Sequence, residues 1–382
     1  MKVLIAPDSF KGSIDALSAA QAIERGILTV DPETKTVLLP MADGGEGTMI
    51  NLVQATKGTV IEVNSIDPLS RPIQSSYGII GDGKTAIIEL ATSSGIDLLK
   101  REELNPLHTT TYGTGLLIKD AIEKGIKHFI VCLGGSATND AGIGLLQALG
   151  YQFLDENGVE IPLGAKHIHN IETIDQSDVM PQIHDVKFEI ACDVTNPFVG
   201  KQGASYIFGP QKGATPEIVE RLDQSFIHFA DVIQTFKGKK ISNIEGAGAA
   251  GGTAGGTAGG MLAFLNAELK RGIELVVGFV NFKDIIKENE IDLIITGEGK
   301  IDGQTSGGKV ISGIAQIAKS YDIPVIAIGG TVEMPLLALH EQGLTAAFSI
   351  ANGPITLEDA MNNGDKLIEQ QTEQIFRALK LK

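Results

Sequence analysis

One pattern recurs four times along the chain: a short apolar run, a polar loop rich in glycine, and an amphipathic stretch. It occupies residues 2–27, 127–150, 292–323 and 324–343. Continuous apolar strands followed by amphipathic helices are typical of parallel sheets that are covered on both faces. In such sheets ligands bind beyond the carboxyl ends of the strands. The pattern therefore predicts an α/β fold with its chemistry in these loops.

The middle of the chain has a different pattern. Residues 75–90 (SSYGIIGDGKTAIIEL) and 151–161 (YQFLDENGVEI) are apolar segments interrupted by the turn sequences GDGK and DENG. Both are typical of antiparallel hairpins. We therefore predict a mixed α/β domain at residues 68–280, inserted into an α/β domain that joins residues 1–67 to residues 281–382. The repeat at 127–150 lies inside this insert, so a parallel segment is expected there too.

Residues 78–85 (GIIGDGKT) match the phosphate-binding P-loop pattern G-x-x-x-x-G-K-[ST]. A P-loop must open a helix, because the helix N-terminus forms the anion site. Here the match is followed by AIIEL, which is a strand pattern. We therefore interpret the glycines as turn residues and Lys84 as a solvated side chain.

Residues 246–251 (GAGAAG) match the dinucleotide fingerprint G-x-G-x-x-G. The fingerprint requires a buried strand before it, and the preceding KGKKISNIE is too polar for one. The tetrapeptide TAGG then occurs twice, at 253–260. This glycine-rich segment is either a closely packed turn or a backbone cradle for a ligand, and the sequence supports both.

Composition excludes several function classes. The 382 residues carry a formal charge of −16, which argues against a nucleic-acid partner and against anionic membranes. No apolar run approaches the roughly 20 residues of a membrane span, and the N-terminus lacks an export signal. The two cysteines have no zinc-site spacing and are expected to be reduced. We expect a soluble cytoplasmic protein; oligomeric state is not indicated.

Five loops combine glycines with acids, hydroxyls and lysines. Phosphoryl transfer needs phosphate oxygens held by backbone and lysine, carboxylates for Mg²⁺, and a carboxylate that orients an alcohol. A carboxylate at a strand end in a polar pocket is the position of a general base. The candidates are Asp8, Ser9, Lys11, Asp43, Glu46, Gly134, Gly135, Ser136, Thr138, Asn139, Asp193, Asn196, Lys212, Glu298 and Asp302.

Several long strings, among them KVLIAPDSFKGS, PMADGGEGT, LGGSATNDAGIGLLQALG, ACDVTNPFVG and ITGEGKIDGQTSGGK, resemble the bacterial glycerate kinase family. The resemblance runs from Lys2 to about Gly330. It implies phosphorylation of D-glycerate by ATP with Mg²⁺, as in glyoxylate metabolism. It also implies a flavodoxin-like domain and a second α/β domain, with the active site in the cleft between them. The family usually has one fewer TAGG before the helix that follows GAGAAGG, so the local geometry there is in doubt.

Within this resemblance we assign hypothetical roles. Asp193 orients or deprotonates the attacking hydroxyl, and Lys11 with the Gly134–Ser136 backbone stabilises charge on the transferred phosphoryl group. Arg71 or Lys212 pairs with the glycerate carboxylate, and Arg suits planar recognition better. The candidates for Mg²⁺ are Asp43, Glu46, Glu298 and Asp302. The family is described with both C2 and C3 phosphorylation, and 2-phosphoglycerate is our preferred product.

Two other functions are consistent with the sequence. An NAD-dependent dehydrogenase would use the GAGAAG segment, although the strand it requires is missing. A non-catalytic regulator that binds a small acid would use the same loops without turning over ATP. Binding that does not depend on Mg²⁺ would favour the regulator.

Overall fold

The computed structural model describes residues 1–248 and 256–380. Its strands are β1 (Lys2–Ile5), β2 (Lys35–Leu38), β3 (Thr59–Ile66), β4 (Pro72–Ile79), β5 (Thr85–Glu89), β6 (His128–Cys132), β7 (Gln152–Leu154), β8 (Thr173–Asp175), β9 (Lys187–Ala191), β10 (Ala267–Lys270), β11 (Leu293–Ile301), β12 (Val325–Val332) and β13 (Leu344–Ser349). Its α-helices are α1 (Ala16–Val30), α2 (Thr48–Thr56), α3 (Ala91–Ser94), α4 (Tyr112–Glu123), α5 (Ile143–Ala148), α6 (Ala204–Phe208), α7 (Pro216–Lys237), α8 (Thr257–Phe264), α9 (Gly272–Phe279), α10 (Phe282–Asn289), α11 (Val310–Lys319), α12 (Leu337–Gln342), α13 (Leu357–Asn362) and α14 (Gly364–Leu379).

The chain divides into two compact units. Unit 1 joins Met1–Asp43 to Ile273–Lys382, and unit 2 is Gly44–Gly272. The boundaries predicted from sequence, 67/68 and 280/281, both fall later in the chain. The difference at the first boundary has a clear cause, because β3 pairs along its whole length with β4 and therefore belongs to unit 2. A pairing of this kind is not visible in the local hydrophobic pattern.

Unit 1 is built on a parallel five-stranded sheet in the order β13-β12-β11-β1-β2. The first strand, KVLI, is almost fully buried, and helix α1 begins where the Asp15 carboxylate accepts the Ser18 N–H. Helices α1 and α14 pack closely at Gly26, where a Cβ would lie 2.5 Å from the Glu369 carbonyl oxygen. The apolar core of this unit includes Val3, Ile23, Ile295, Ile328 and Phe376.

The strand order of unit 1 places a topological switch point between β1 and β11. From β1 the chain proceeds to β2 on one side, whereas β11 lies on the other side and is followed outward by β12 and β13. In open parallel sheets the loops that follow the two strands at such a point diverge and leave a crevice for a ligand. The loop after β1 carries the candidates Asp8 and Lys11, β11 carries Glu298, and the loop after β11 carries Asp302.

Unit 2 contains a six-stranded mixed sheet in the order β10-β9-β6-β5-β4-β3, and a separate pair formed by β7 and β8. Strands β5, β6, β9 and β10 are parallel, whereas β3 and β4 run antiparallel to their neighbours. The predicted α/β class, with one parallel and one mixed sheet, is thus confirmed.

The hairpin around GDGK is also confirmed. Strands β4 and β5 pair antiparallel, and the Asp82 carboxylate accepts the backbone N–H groups of Lys84 and Thr85 across the turn. Lys84 is exposed and Thr85 begins a strand, so the P-loop match has no helix to open. The DENG turn closes through a bridge between Leu154 and Glu160, although the strand partner of β7 is β8.

The dinucleotide match lacks its strand. Helix α7 ends at Lys237, and no strand lies between it and Gly246 among the described residues. Residues 249–255, which include the rest of GAGAAG and most of the first TAGG, lie outside the described residues. The second TAGG forms the first turn of α8, and Gly256, the last residue of the first TAGG, is the N-cap of this helix with a φ of 80°. None of the described helices is long and apolar enough to cross a membrane.

Candidate active site

The switch point of unit 1 is lined by three carboxylates: Asp8, Asp43 and Glu298. The loop after β1 runs beside β11, because the Asp8 N–H donates to the Gly297 carbonyl at 2.8 Å. The carboxylates of Asp43 and Glu298 are close enough to act electrostatically on Asp8. Sequence reasoning had placed these residues in separate loops, and the parallel sheet brings those loops to one edge.

The Asp8 carboxyl is strongly perturbed. Burial and the negative charges of Asp43 and Glu298 raise its pKa to about 8, against hydrogen bonds from Ser9 that favour the charged form. The Ser9 N–H donates to Asp8 Oδ1 at 2.6 Å. Groups with strongly shifted pKa values in a crevice are characteristic of functional sites. Burial is the largest cause of the shift, and a bound cation would relieve the part that comes from the neighbouring negative charges.

Glu298 lies in strand β11 and not in the loop that the sequence predicted after LIIT. The strand extends to Ile301 because glycines allow close pairing with β12, where a Cβ on Gly330 would lie 2.4 Å from the Gly299 carbonyl oxygen. The buried Glu298 carboxylate accepts the Thr305 hydroxyl at 2.6 Å. Burial raises its pKa, and the Thr305 hydrogen bond and the Lys309 charge oppose that shift.

The other charged side chains of this edge differ in their pairing. Lys300 Nζ lies 3.1 Å from Asp302 and 2.9 Å from Glu333, so Asp302 already has a cationic partner. A backbone hydrogen bond from Gln304 and the Lys300 partner lower the Asp302 pKa. Lys11 is exposed and lies beside β11: a Cβ placed on Gly299 of that strand would be 3.4 Å from the Lys11 backbone nitrogen.

A complete protein cage for a metal is not present in the described residues, where no three His, Cys, Asp or Glu side chains are grouped to hold an ion. The predicted set does not converge in one unit, since Glu46 belongs to unit 2 and is exposed. Mg²⁺ nevertheless needs no cage, because it retains several waters and uses one or two carboxylates together with substrate phosphates. The charge crowding around Asp8 fits such an ion.

We expect Asp8→Asn to change how stability depends on pH. Because the folded pKa of about 8 exceeds the ordinary value of 3.8, the folded state binds more protons between these values. The free energy of unfolding therefore falls as pH rises through this window. The Asn variant lacks this loss and should be more stable than wild type at pH 8.5 by on the order of 2 kcal/mol.

Urea denaturation at pH 5 and pH 8.5, both without divalent cations, measures this difference. Asn keeps an oxygen that can accept the Ser9 N–H, and Asp322→Asn in the same unit controls for loss of a surface charge. Identical pH dependence in wild type and Asp8→Asn would show that Asp8 is ionised normally.

In unit 2 a glycine loop, residues 44–47, lies against the carboxyl ends of two parallel strands. A Cβ on Gly44 would lie 2.8 Å from the Ala191 Cβ at the end of β9. A Cβ on Gly134, just after β6, would lie 3.4 Å from the Gly45 Cα. The close approach at Gly44 requires glycine, whereas the Gly134 position is at ordinary contact distance from Gly45. The backbones of two loops that the sequence singled out are thus brought together.

The loop after β6, residues 134–140, is organised by the buried Asp140. Its carboxylate accepts the Thr111 N–H at 2.7 Å and the Thr111 hydroxyl at 2.9 Å, and further N–H groups from Gly142 and Gly144. Burial raises the Asp140 pKa against these hydrogen bonds. Asp140 therefore fixes the starts of α4 and α5.

Lys212 is fully buried beneath the same loop. Its ammonium donates to the Thr138 carbonyl and, at 3.2 Å, to Asn139 Oδ1. Burial lowers the Lys212 pKa, against the favourable charge of Asp140. The Asn139 Nδ2 group is buried with no hydrogen-bond partner. Lys212 thus stabilises the loop at residues 134–140 from its buried side. The predicted contact between Lys212 and a substrate carboxylate would require these hydrogen bonds to break.

Asp193 follows β9 at the same edge of the sheet. Its side chain is exposed, and its Oδ1 accepts the Gly272 N–H at 3.0 Å. That backbone hydrogen bond orients the carboxylate. Asn196, three residues later, donates its side-chain amide to the Gln202 carbonyl and is partly buried.

Arg71 is already paired with two carboxylates. Its Nε donates to Asp67 and its Nη1 to Glu103 at 2.7 Å, while nearly half of the side chain is exposed. The guanidinium therefore joins the start of β4 to a neighbouring turn. Recognition of a substrate carboxylate by Arg71 would have to compete with these two partners.

Glu89 is a site residue that the sequence analysis missed. It ends β5 and is almost fully buried, and its carboxylate accepts the Met49 N–H at 2.7 Å at the start of α2. Further hydrogen bonds come from the Gly47 and Thr48 backbone, although burial raises its pKa. Glu89 thereby anchors the glycine loop 44–47. A single acid in AIIEL gives no local signal of this role.

Comparisons with known proteins were made for the whole chain. A family model described as the glycerate kinase family matches residues 3–380. A protein named glycerate kinase from Bacillus subtilis (strain 168) is 46% identical over 381 residues, covering 100% of this chain and 98% of that protein. A protein named glycerate 2-kinase from Escherichia coli (strain K12) is 44% identical over 360 residues, covering 94% of this chain and 93% of that protein.

A solved structure is also similar. The crystal structure of a putative glycerate kinase 2 from Salmonella typhimurium LT2 has a TM-score of 0.88 and 42% sequence identity. The match covers 100% of this chain and 98% of that chain. The region matched by the family model contains every candidate residue described above, from Asp8 to Lys309.

Proposed function

The chain belongs to the glycerate kinase family and is an ATP-dependent glycerate kinase, and we propose that it phosphorylates the C2 hydroxyl of D-glycerate to give 2-phosphoglycerate. The observation that carries the choice of C2 is the 44% identity, over 94% of this chain, to a relative named glycerate 2-kinase. The dehydrogenase alternative required a strand directly before Gly246, and the described residues between α7 and Gly246 contain none. That alternative therefore has no structural support. The regulator alternative is not favoured by any relative reported above.

The acceptor hydroxyl is assigned to the loops of unit 2. In our proposal the exposed Asp193 carboxylate takes the proton of the C2 hydroxyl while the oxygen of that hydroxyl forms a bond to the γ-phosphorus. The bond between that phosphorus and the β–γ bridging oxygen breaks, and ADP leaves. Support comes from the Gly272 N–H, which fixes one carboxylate oxygen, and from the position of Asp193 at a strand end. Positioned bases of this kind contribute about 10²–10⁴ in rate.

Charge on the transferred group is assigned to backbone donors and to Lys11. Gly134 and Gly135 carry no side chain, and the Gly134 position lies beside the Gly45 backbone, so in our proposal the backbone of the Gly134–Ser136 segment contacts the transferred group. Thr138 and Asn139 complete this loop, and Lys212 holds it from below. Preorganised donors of this type stabilise developing charge without reorganisation.

A divalent cation is assigned to unit 1. One or two of the carboxylates of Asp8, Asp43 and Glu298 would supply the hard oxygen ligands that Mg²⁺ prefers, alongside substrate phosphates, with Asp302 nearby and Ser9 supporting Asp8. When bound, Mg²⁺ neutralises phosphate charge. Glu46 is not assigned to this cation site, because it belongs to unit 2, where its charge acts on Glu89. Because the reaction consumes ATP, we assign the protein to the cytoplasm.

Acceptor analogues test the choice of hydroxyl. D-lactate keeps the C2 hydroxyl and lacks the C3 hydroxyl, whereas 3-hydroxypropionate has the reverse arrangement. We expect ADP formation with D-lactate, more slowly than with D-glycerate because the lost hydroxyl leaves site groups unpaired. With 3-hydroxypropionate we expect only the background rate. The opposite ranking would assign the reaction to C3.

A further inference from the structure

The start of helix α11 has unused hydrogen-bonding capacity. The helix has ten residues, its N-cap is Lys309, and no side chain caps it. The first N–H groups of an α-helix have no intrahelical acceptor, and the helix dipole makes this end positive. The helix follows β11, so this end lies at the switch point of unit 1.

The approach to this helix end is open. The loop between β11 and α11, residues 302–309, contains Gly303 and Gly307, and neither has any atom within 4 Å of the position a Cβ would take. Gly308, which directly precedes the N-cap, has a φ of 107°, so it needs the conformational freedom of glycine. The loop therefore leaves room for a ligand beside the helix end.

A buried orphan hydroxyl lies in the first turn. Ser312 is fully buried, and its Oγ has no hydrogen-bond partner. It occupies the third helical position, where the Cα–Cβ bond tilts toward the helix N-terminus. Side chains at this position reach back to the N-cap in capping boxes. A buried polar atom without a partner requires an explanation, and a bound ligand supplies one.

Lys309 adds the charge that an anion needs. It is partly buried, and its ammonium acts on both Glu298 and Asp302. An isolated anion would be repelled by these carboxylates. An anion that arrives with a divalent cation would not be, because the carboxylates bind the cation while the lysine and the helix end bind the anion. The mixed charge therefore favours a metal–polyphosphate complex.

We propose that the β11–α11 loop, residues 302–309, together with the first turn of α11, binds the polyphosphate chain of a nucleoside triphosphate carried as its divalent-metal complex. This inference rests on the proposed function, since it names the part of unit 1 that holds the phosphoryl donor. The donors are the first N–H groups of α11, the Lys309 ammonium and the Ser312 hydroxyl. Helix N-termini that follow glycine loops bind phosphate in this manner in other folds.

Two variants test the site by different means. Lys309→Ala removes the charge, and Gly307→Leu fills the open space without a clash in the ligand-free protein. Isothermal titration with ATP and Mg²⁺ should show Kd raised at least tenfold in both. Steady-state kinetics should show KM for ATP raised by a similar factor, with KM for D-glycerate within twofold of wild type. Ser312→Ala should weaken ATP binding about threefold.

Matched controls come from the same unit. Lys283→Ala removes an exposed lysine at the second position of α10, and Gly353→Leu adds a side chain at another exposed glycine with open space. Both should bind ATP as wild type does. Thermal unfolding of each variant shows whether it is folded, and Gly307→Leu should unfold within 2 °C of Gly353→Leu.

The outcomes separate this inference from the proposed function. If Lys309→Ala and Gly307→Leu bind ATP with wild-type affinity, the inference is wrong, whatever the acceptor. If wild type binds ATP through this loop but does not phosphorylate D-glycerate, the inference holds and the proposed function fails. Weakened binding of both ATP and D-glycerate in Gly307→Leu would show general distortion and would overturn the assignment to the phosphate chain.

Discussion

Replacing Asp193 with Asn is expected to lower kcat by about 10²–10⁴ with little change in stability. The reason is that an amide has no basic oxygen to take the proton of the attacking hydroxyl. The fold should survive, because the Asn side-chain oxygen can still accept the Gly272 N–H that Asp193 accepts at 3.0 Å. Rates of ADP formation with saturating D-glycerate and ATP measure the effect.

Asp231→Asn is the matched control, since Asp231 is exposed on helix α7 of the same unit. It should keep the wild-type kcat. If Asp193→Asn retains more than a tenth of the wild-type kcat, Asp193 is not the base. Asp193→Glu tests proton transfer separately. If the Asn variant is slow because it cannot take the proton, the carboxylate of the Glu variant should recover part of the rate even though it is displaced.

Lys212→Met is expected to destabilise the protein by about 2–4 kcal/mol, the second large effect. Met has similar length but donates no hydrogen bond, so the Thr138 carbonyl and Asn139 Oδ1 lose their buried donor. The loss of the buried charge offsets part of this cost. Because the same loop carries Gly134–Ser136, we also expect kcat/KM for D-glycerate to fall more than tenfold.

Urea denaturation measures the loss of stability, and steady-state kinetics measures the fall in kcat/KM. Both are measured at 15 °C, a temperature at which the variant is expected to remain folded. Lys201→Met, at an exposed lysine of unit 2, is the control and should be nearly neutral. A stability within 0.5 kcal/mol of wild type would mean that water or another side chain satisfies the loop, and that Lys212 does not hold it.

The repeated strand–loop–helix pattern was sufficient to predict the parallel strands. Runs such as KVLI and HFIVC are apolar at every position after the first, as in strands that are buried on both faces. The hairpin at GDGK was predictable for a similar local reason, since the turn residues and flanking strands are adjacent. In both cases the signal lies within about ten residues of the structure that it specifies.

The boundary of unit 2 and the length of β11 were not predictable in this way. β3 belongs with β4 through pairing between segments, and TVIEVNSI carries no mark of its partner. β11 continues through GEGK because Gly329 and Gly330 on the neighbouring strand accept its close approach. A glycine-rich string is normally a loop signal, and here it serves strand pairing.

Residue types were predicted better than residue environments. The sequence singled out the acidic and glycine-rich loops as candidates, and that choice stays a prediction. Lys212, which the sequence offered as a contact for a ligand, is buried beneath the loop at residues 134–140. Glu89 had no local signal, because its role depends on contacts with the start of α2. The pairing of the Thr305 hydroxyl with Glu298 was not visible in the sequence either. Burial and pairing of a charged group are set by distant segments, and a single sequence does not show them.

The most direct test of the proposed reaction is proton-coupled ³¹P NMR of the product formed from D-glycerate, ATP and Mg²⁺. Phosphorylation at C2 gives a phosphomonoester signal split into a doublet by the single proton on that carbon, and this is the result we predict. A triplet from the two protons on C3 would contradict the choice of hydroxyl. A wild-type protein that forms no phosphomonoester would contradict the proposed function itself.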